Sequence, residues 1–371
     1  MRVEIRHSCA EADSYRAHRV KSLFNAESGA NFALDADLPI DDADWRIGVV
    51  VGPSGSGKSS LGARLGPLYN PRWPKDAPII DAIAPEGDFN SVTGALSAVG
   101  LGSVPAWLRP YSVLSNGERF RATLARLVCD APKRAVVDEF SSVVDRQIAK
   151  VGASAFAKAW RRTGGQAVLL SCHYDILDWL QPDWVFDTGA GHFQRGLLRR
   201  RPAIELEVWQ TDWRYWPLFE PHHYLKLPRM IAASCYVAAV DGEPVAHLGV
   251  STRPGLIEAR ACRLVVMPEW QGAGVGMRFL NAVCETWRRG ENRYRKPMPT
   301  LFHTSHPGLA AALRRDGHWT QVSARLFGDH KGRSMASIQA SAERSGTTPP
   351  GAVGYGGHFR AVQGFRYLGA P

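Results

Sequence analysis

Ile47-Gly48-Val49-Val50-Val51-Gly52-Pro53-Ser54-Gly55-Ser56-Gly57-Lys58-Ser59-Ser60-Leu61 is the stretch that decides how this chain is read. Residues 52–59 fit G-x-x-x-x-G-K-[ST] at every fixed position, through Gly52, Pro53, Ser54, Gly55, Ser56, Gly57, Lys58 and Ser59. The apolar, β-branched run 47–51 predicts a buried parallel strand, and the residues from Ser59 onward predict a helix. Strand, glycine loop and helix are the context the motif requires. Glycines let consecutive N–H groups turn inward around phosphate oxygens, and the helix N-terminus adds partial positive charge. In that arrangement Lys58 reaches the β- and γ-phosphates of a nucleotide and the Ser59 hydroxyl is a Mg²⁺ ligand.

Length and charge bound the rest. A chain of 371 residues, 45% hydrophobic and 22% charged, suits two globular domains, read here as 1–195 and 196–371. No apolar run approaches the ~20 residues a membrane span needs, and residues 1–6 show no signal-peptide core. Six scattered cysteines without a C-x-x-C pair point to neither zinc nor a disulfide framework, and the expected location is the cytoplasm. Residues 1–195 hold 22 basic and 22 acidic side chains, whereas 196–371 hold 23 and 13, so the entire net charge of +10 lies in the second half. Such a field suits a polyanion or an acidic cofactor, or forms an arginine-rich solvated surface.

Along the first half, residues 1–5 and 33–39 predict strands, 77–81 a short buried strand and 91–99 a helix. Phe24 and Phe32 are candidates to stack on a base, although core packing is the commoner use of such a ring. Leu114-Ser115-Asn116-Gly117-Glu118, followed by a basic amphipathic helix, resembles the LSGGQ signature of ABC-type ATPases. Arg134-Ala135-Val136-Val137-Asp138-Glu139-Phe140 resembles their Walker B strand, Ser141-Ser142-Val143-Val144-Asp145 their D-loop, and Val168-Leu169-Leu170-Ser171-Cys172-His173 the strand that carries a switch histidine. The resemblance implies ATP as ligand, Mg²⁺ held by Ser59 and Asp138, Glu139 polarising a water, and His173 at the γ-phosphate. It also implies an ATP-dependent homodimer in which Ser115, Gly117 and Asp145 of one protomer close over the nucleotide of the other. Two features depart from the family. No glutamine precedes Gln147, which leaves Asp81 or Glu86 to stand in for the nucleotide-sensing glutamine. The 57 positions from Lys58 to Ser115 make a short helical region, which argues against a transporter subunit.

In the second half, 236–240 and 243–250 predict a hairpin about Asp241-Gly242, and 259–267 a third strand. That strand runs into Pro268-Glu269-Trp270-Gln271-Gly272-Ala273-Gly274-Val275-Gly276 and then a helix. This resembles motif A of GNAT acyltransferases, [QR]-x-x-G-x-[GA], filled by Gln271, Gly274 and Gly276. The resemblance implies an acyl-CoA such as acetyl-CoA, its pyrophosphate cradled by Val266, Gln271, Gly272, Ala273, Gly274, Val275 and Gly276. The tyrosine acid common in such enzymes is replaced by Leu313, which leaves His223 and Tyr224 as acyl-transfer candidates, with His222, His303 and His306 behind them. His223-Tyr224-Leu225 beside this core also resembles, weakly, the phage Mom-type enzymes that modify DNA adenine. Residues 194–202 read as a basic hinge, 204–209 as the strand that opens the second unit, 325–350 as a polar loop and 358–367 as a closing strand.

The expected fold class is α/β: a P-loop sheet of ABC type with a short helical subdomain, then a GNAT-like α+β domain. The expected function is ATP hydrolysis joined to N-acyl transfer on or near nucleic acid. The alternative is a non-catalytic nucleic-acid clamp with a GNAT fold used only for binding.

Overall fold

The computed structural model describes residues 1–24, 31–196, 201–224, 230, 233–252, 257–325 and 361–369. The chain forms two compact units, each built from two stretches of sequence. The first comprises Met1–Trp73 with Arg126–Pro202, the second Pro74–Ala125 with Ala203–Pro371. The expected boundary at 195/196 therefore omits one exchange: residues 74–125, read as part of the ATPase half, pack with the second half of the chain.

The first unit is organised on a five-stranded sheet in the order Arg134–Val137, Gln166–Ser171, Ile47–Val51, Trp184–Asp187, His192–Arg195. The first four strands pair in parallel and the last is antiparallel. Ile47–Val51 is central and buried along its whole length, which is why it reads as an unbroken apolar run. Helix Lys58–Leu65 sets Leu61 and Leu65 into a core with Val50, Val136, Val168, Leu170, Trp184 and Phe186. The antiparallel pair Arg2–Ser8 and Asn31–Asp37 adds Val3 and Ile5 to that core. The turn expected after Trp184–Asp187 proves to be the bend of a hairpin, with Asp187 opposite His192.

The second unit is built on a seven-stranded sheet in the order Trp319–Arg325, Val362–Tyr367, Thr300–Thr304, Ala259–Val266, Glu243–Thr252, Ser234–Val240, Glu207–Thr211. The Asp241-Gly242 hairpin forms as expected, both residues taking positive φ. Only Ala259–Val266 and Thr300–Thr304 run parallel, and their pairing covers just residues 259–261 against 300–302. Beyond Ala261 the two strands part, leaving the end of Ala259–Val266 open on that side. Helix Val275–Arg289 buries Val275, Phe279, Leu280, Val283 and Trp287 against the sheet, each of the larger side chains contributing about 1.5–3 kcal/mol. The Trp287 indole N–H donates to the Tyr236 hydroxyl at 2.9 Å.

Residues 74–125 supply the helices Ile79–Ala82, Phe89–Ala98 and Val104–Trp107 and the start of Asn116–Asp130. The strand expected at 77–81 is instead a single helical turn, which starts after Pro78 while Pro78 itself bridges to Pro110. Pro78 is the N-cap of that turn, where its missing N–H costs the helix no hydrogen bond because the initial N–H groups are unpaired in any case. Asp88 caps Phe89–Ala98 by accepting from the backbone of Asn90 and Ser91. The strand expected from 204 starts at Glu207. Residues 197–200 of the basic hinge, Leu225, the polar loop from 326 and residues 358–360 of the closing strand lie outside the described residues. Among the described residues no helix is long and apolar enough to cross a membrane.

Candidate active sites

In the first unit, Ser54, Gly55, Gly57, Lys58, Ser59, Asp138 and Glu139 line one cavity of about 440 Å³. The geometry follows from the sheet. Ile47–Val51 delivers the glycine loop at its C-terminal end, and Arg134–Val137, two strands away in the order, delivers the adjacent carboxylates. Gly57 caps helix Lys58–Leu65 with φ +84, and a Cβ there would sit 2.5 Å from the Phe32 ring, so both backbone conformation and space require glycine. The Lys58 ammonium donates to the carbonyls of Gly52 and Pro53 at 2.8 and 2.7 Å. Ser56 Oγ donates to the Pro53 carbonyl at 2.7 Å, which closes the loop on itself.

Asp138 Oδ1 accepts from the backbone N–H of Glu139 at 2.8 Å, and Glu139 holds a left-handed φ of 49°. The segment after it is tied to the neighbouring strand. Phe140 N–H donates to the Leu170 carbonyl, Ser171 Oγ donates to the Phe140 carbonyl, and His173 N–H donates to Ser171 Oγ. Cys172 lines the cavity, and His173, the next residue along the chain, is not among the residues that line it. Burial, with help from Arg146, lowers the His173 pKa, so the ring is neutral near pH 7. Asp145 caps helix Arg146–Trp160 through the N–H groups of Gln147 and Ile148. Sequence reasoning missed His7, which lines the cavity, stacks on Phe32 and hydrogen-bonds to Ser60 Oγ at 2.9 Å. Phe32, a stacking candidate for which core packing is the commoner use, both packs against the core and lines the cavity; Phe24, on helix Tyr15–Phe24, is exposed and is not among the lining residues.

In the second unit, Ser115, Asn116, Gly117 and Glu118 form a capping box. Ser115 N–H and Oγ both donate to the Glu118 carboxylate at 2.9 Å, and Glu118 N–H donates back to Ser115 Oγ at 3.3 Å. The pentad thus starts helix Asn116–Asp130 while Ser115 remains exposed.

A second cavity, of about 300 Å³, opens where Ala259–Val266 parts from its neighbour. Val266, Gln271, Gly272, Gly274, Val275 and Gly276 line it, as do His222, His223 and Tyr224. Ala273, grouped with these in the sequence reading, packs against the core instead. Gly274, at φ +86, is the N-cap of Val275–Arg289, whose first N–H groups have no intrahelical partners. The Gln271 carboxamide is spent twice: Nε2 donates to the Val266 carbonyl at 3.0 Å and Oε1 accepts from Gly102 N–H at 3.0 Å. His306, also at this cavity, accepts from Leu309 N–H through Nδ1, and its Nε2 lies 3.0 Å from the Gly102 carbonyl. A carbonyl only accepts, so Nε2 carries the proton and both ring nitrogens are engaged; burial keeps the ring neutral. His306 is therefore unsuited to take a proton. His223, buried against Trp216 and Tyr224, and the half-buried Tyr224 share the cavity with the turn, as does the exposed His222.

Among solved structures, one described as a cobalt transport ATP-binding protein is similar at 17% identity, with a TM-score of 0.35, over 50% of this chain and 80% of that one. A bacterial Atm1-family ABC exporter with ATP bound is similar at 16% identity, with a TM-score of 0.31, over 43% of this chain and 33% of that one. No curated protein matches. Residues 232–313 match the family model of the acetyltransferase (GNAT) domain, so the second half of the chain carries a GNAT domain, and the open strand and glycine-capped helix lie inside it.

Proposed function

We propose that the protein is an ATP hydrolase of the ABC type that works as an ATP-dependent homodimer and transfers an acyl group from acyl-CoA to an amine. The observation that carries the first part is the single cavity holding Lys58, Ser59, Asp138 and Glu139. The loop N–H groups and Lys58 bind the phosphates, and the Ser59 hydroxyl and Asp138 carboxylate fit a Mg²⁺ ion by donor type and shared cavity. Mg²⁺, when bound, neutralises charge on the phosphate oxygens. Glu139 orients a water for attack and takes up its proton, and His173, a neutral ring one residue beyond the cavity-lining Cys172, offers a hydrogen bond to that water or to the γ-phosphate. Ser115, Gly117 and Asp145 complete the site across the dimer.

The second cavity supports acyl transfer. Backbone N–H groups at 274–276 hold the pyrophosphate of acyl-CoA, with the thioester toward His223 and Tyr224. His223 takes the amine proton as the C–N bond forms and the C–S bond breaks, and Tyr224 supplies a proton to the departing thiolate. The ten excess positive charges of residues 196–371 favour an acceptor on, or held beside, nucleic acid. Modification of a base amine in the Mom-like manner is the narrowest form of this reading.

Two measurements test it. Glu139→Gln retains ATP and stays dimeric in sedimentation with ATP and Mg²⁺, while hydrolysis falls at least about 100-fold; a monomer under those conditions overturns the sandwich. Calorimetric titration of the full chain with acetyl-CoA gives saturable heat. No heat at millimolar ligand removes the acyltransferase part and leaves a binding module.

A further inference from the structure

The acyl-CoA cavity is walled in part by a stretch of sequence outside the GNAT match. Ser97, Gly100, Gly102 and Ser103 line it beside the Gln271 turn. The approach is close: a Cβ on Gly100, whose φ is +85, would lie 2.2 Å from the Gln271 carbonyl oxygen. Hydrogen bonds fix the wall from three sides. Gly102 N–H donates to Gln271, Gly102 carbonyl accepts from His306, and Gly100 carbonyl accepts from Arg121 Nη1 at 2.9 Å.

Arg121 is the unusual member. It is buried, yet its guanidinium faces carbonyls rather than a carboxylate, with Nη1 donating to both Gly100 and Pro268. Burial lowers its pKa to about 10, against the opposing pull of Glu269 and Glu118, so it remains a cation near pH 7. A buried cation confined to two carbonyls is costly unless its position does something. Pro268 starts the turn that leads to Gln271 and Gly274. Arg121 itself rides on helix Asn116–Asp130, six residues beyond Ser115, or about 9 Å of helical rise.

We infer that Arg121 is a positioning residue that couples nucleotide capture at 115–118 to acyl-CoA binding at 271–276. The inference rests on the dimeric ATPase and acyl-CoA readings above. When a partner protomer's nucleotide engages the capping box, helix Asn116–Asp130 is held, and Arg121 holds the Gly100 wall and the Pro268 turn with it. Acyl-CoA then meets a turn whose ordering cost has been met, so the two ligands favour each other.

The test uses the full-length Glu139→Gln protein, which keeps ATP intact. Acetyl-CoA is titrated calorimetrically with and without saturating ATP and Mg²⁺, and ATP is titrated with and without acetyl-CoA. The expected result is at least a fivefold tighter dissociation constant in each direction, by the same factor. Arg121→Met brings that factor to one; Arg121→Lys, which can still donate to both carbonyls, retains most of it. A general loss of folding would not separate these two variants in that way. Acetyl-CoA that binds equally with and without ATP overturns the coupling and leaves the acyltransferase reading intact. Acetyl-CoA that gives no heat in either condition overturns that reading and the coupling together. Should Arg121→Met fail to fold, Arg121→Gln, which keeps a polar side chain at the buried position but is too short and uncharged to hold both carbonyls, carries the same expectation of a factor near one, and a factor unchanged in it overturns the role of Arg121.

Discussion

His247 shows how far a single side chain can set the protein's response to acid. It is fully buried, ringed by Trp213, Trp216 and Phe219 with centroids 5.2 to 5.8 Å away, and among the described residues neither ring nitrogen makes a well-formed hydrogen bond. Burial lowers its pKa to about 4, with a further push from His223 against a backbone contact at Arg263. In the unfolded chain the same ring titrates near 6.5. The unfolded state therefore binds the extra proton first, so the stability that neutral His247 allows is present above pH 6.5 and lost as pH falls toward 4. Between pH 7 and 4.5 the wild type should lose on the order of 2 kcal/mol more than His247→Phe, read from urea midpoints. Parallel losses would show that other groups set the acid limit. At this scale the sequence announces residues that stand in a contiguous motif, such as Lys58 with Ser59 or Asp138 with Glu139. It gives no sign of His7 or Arg121, whose surroundings are assembled from residues far away along the chain.

The segments that were legible are those whose pattern is local. Ile47–Val51, the Asp241-Gly242 hairpin and the glycine-capped start of Val275–Arg289 each declare themselves within about ten residues. The turn at 77–81 did not, because A-P-I-I-D suits a buried strand as well as a helical turn, and pairing at Pro78 decides between them. Strand His192–Arg195 was hidden for the same reason: its partner, not its composition, makes it a strand. Gly274 allows a test at the level of the turn. No described residue lies within 4 Å of a Cβ placed there, so Gly274→Glu is expected to cost the fold the left-handed backbone penalty of about 1–2 kcal/mol, while setting a carboxylate against the helix start proposed to hold pyrophosphate. Acetyl-CoA affinity should fall at least tenfold and ATP hydrolysis, measured by phosphate release, should stay within twofold. Unchanged affinity would move the pyrophosphate elsewhere.

For the molecule as a whole, charge is the feature read most directly from composition. If the excess of ten positive charges beyond residue 195 meets nucleic acid, the full chain should bind duplex DNA with affinity falling at least tenfold from about 50 to 200 mM salt. Fluorescence anisotropy decides this, and flat or absent binding would favour a small free amine as acceptor. What composition and motifs could not show is the exchange of residues 74–125 into the second unit, since grouping by contact is invisible to any window of sequence. A cut at 195, natural from the motifs, would leave the second unit without one wall of its cavity. The same exchange imposes an order of events during synthesis. At about 5–20 residues per second, residues 74–125 leave the ribosome some ten to forty seconds before the strands and helices they pack against. The first unit, complete by residue 202, can fold while this stretch still waits for its partners. Chaperone dependence of the newborn protein should therefore centre on residues 74–125, and a stalled or truncated chain exposes them for as long as it lasts.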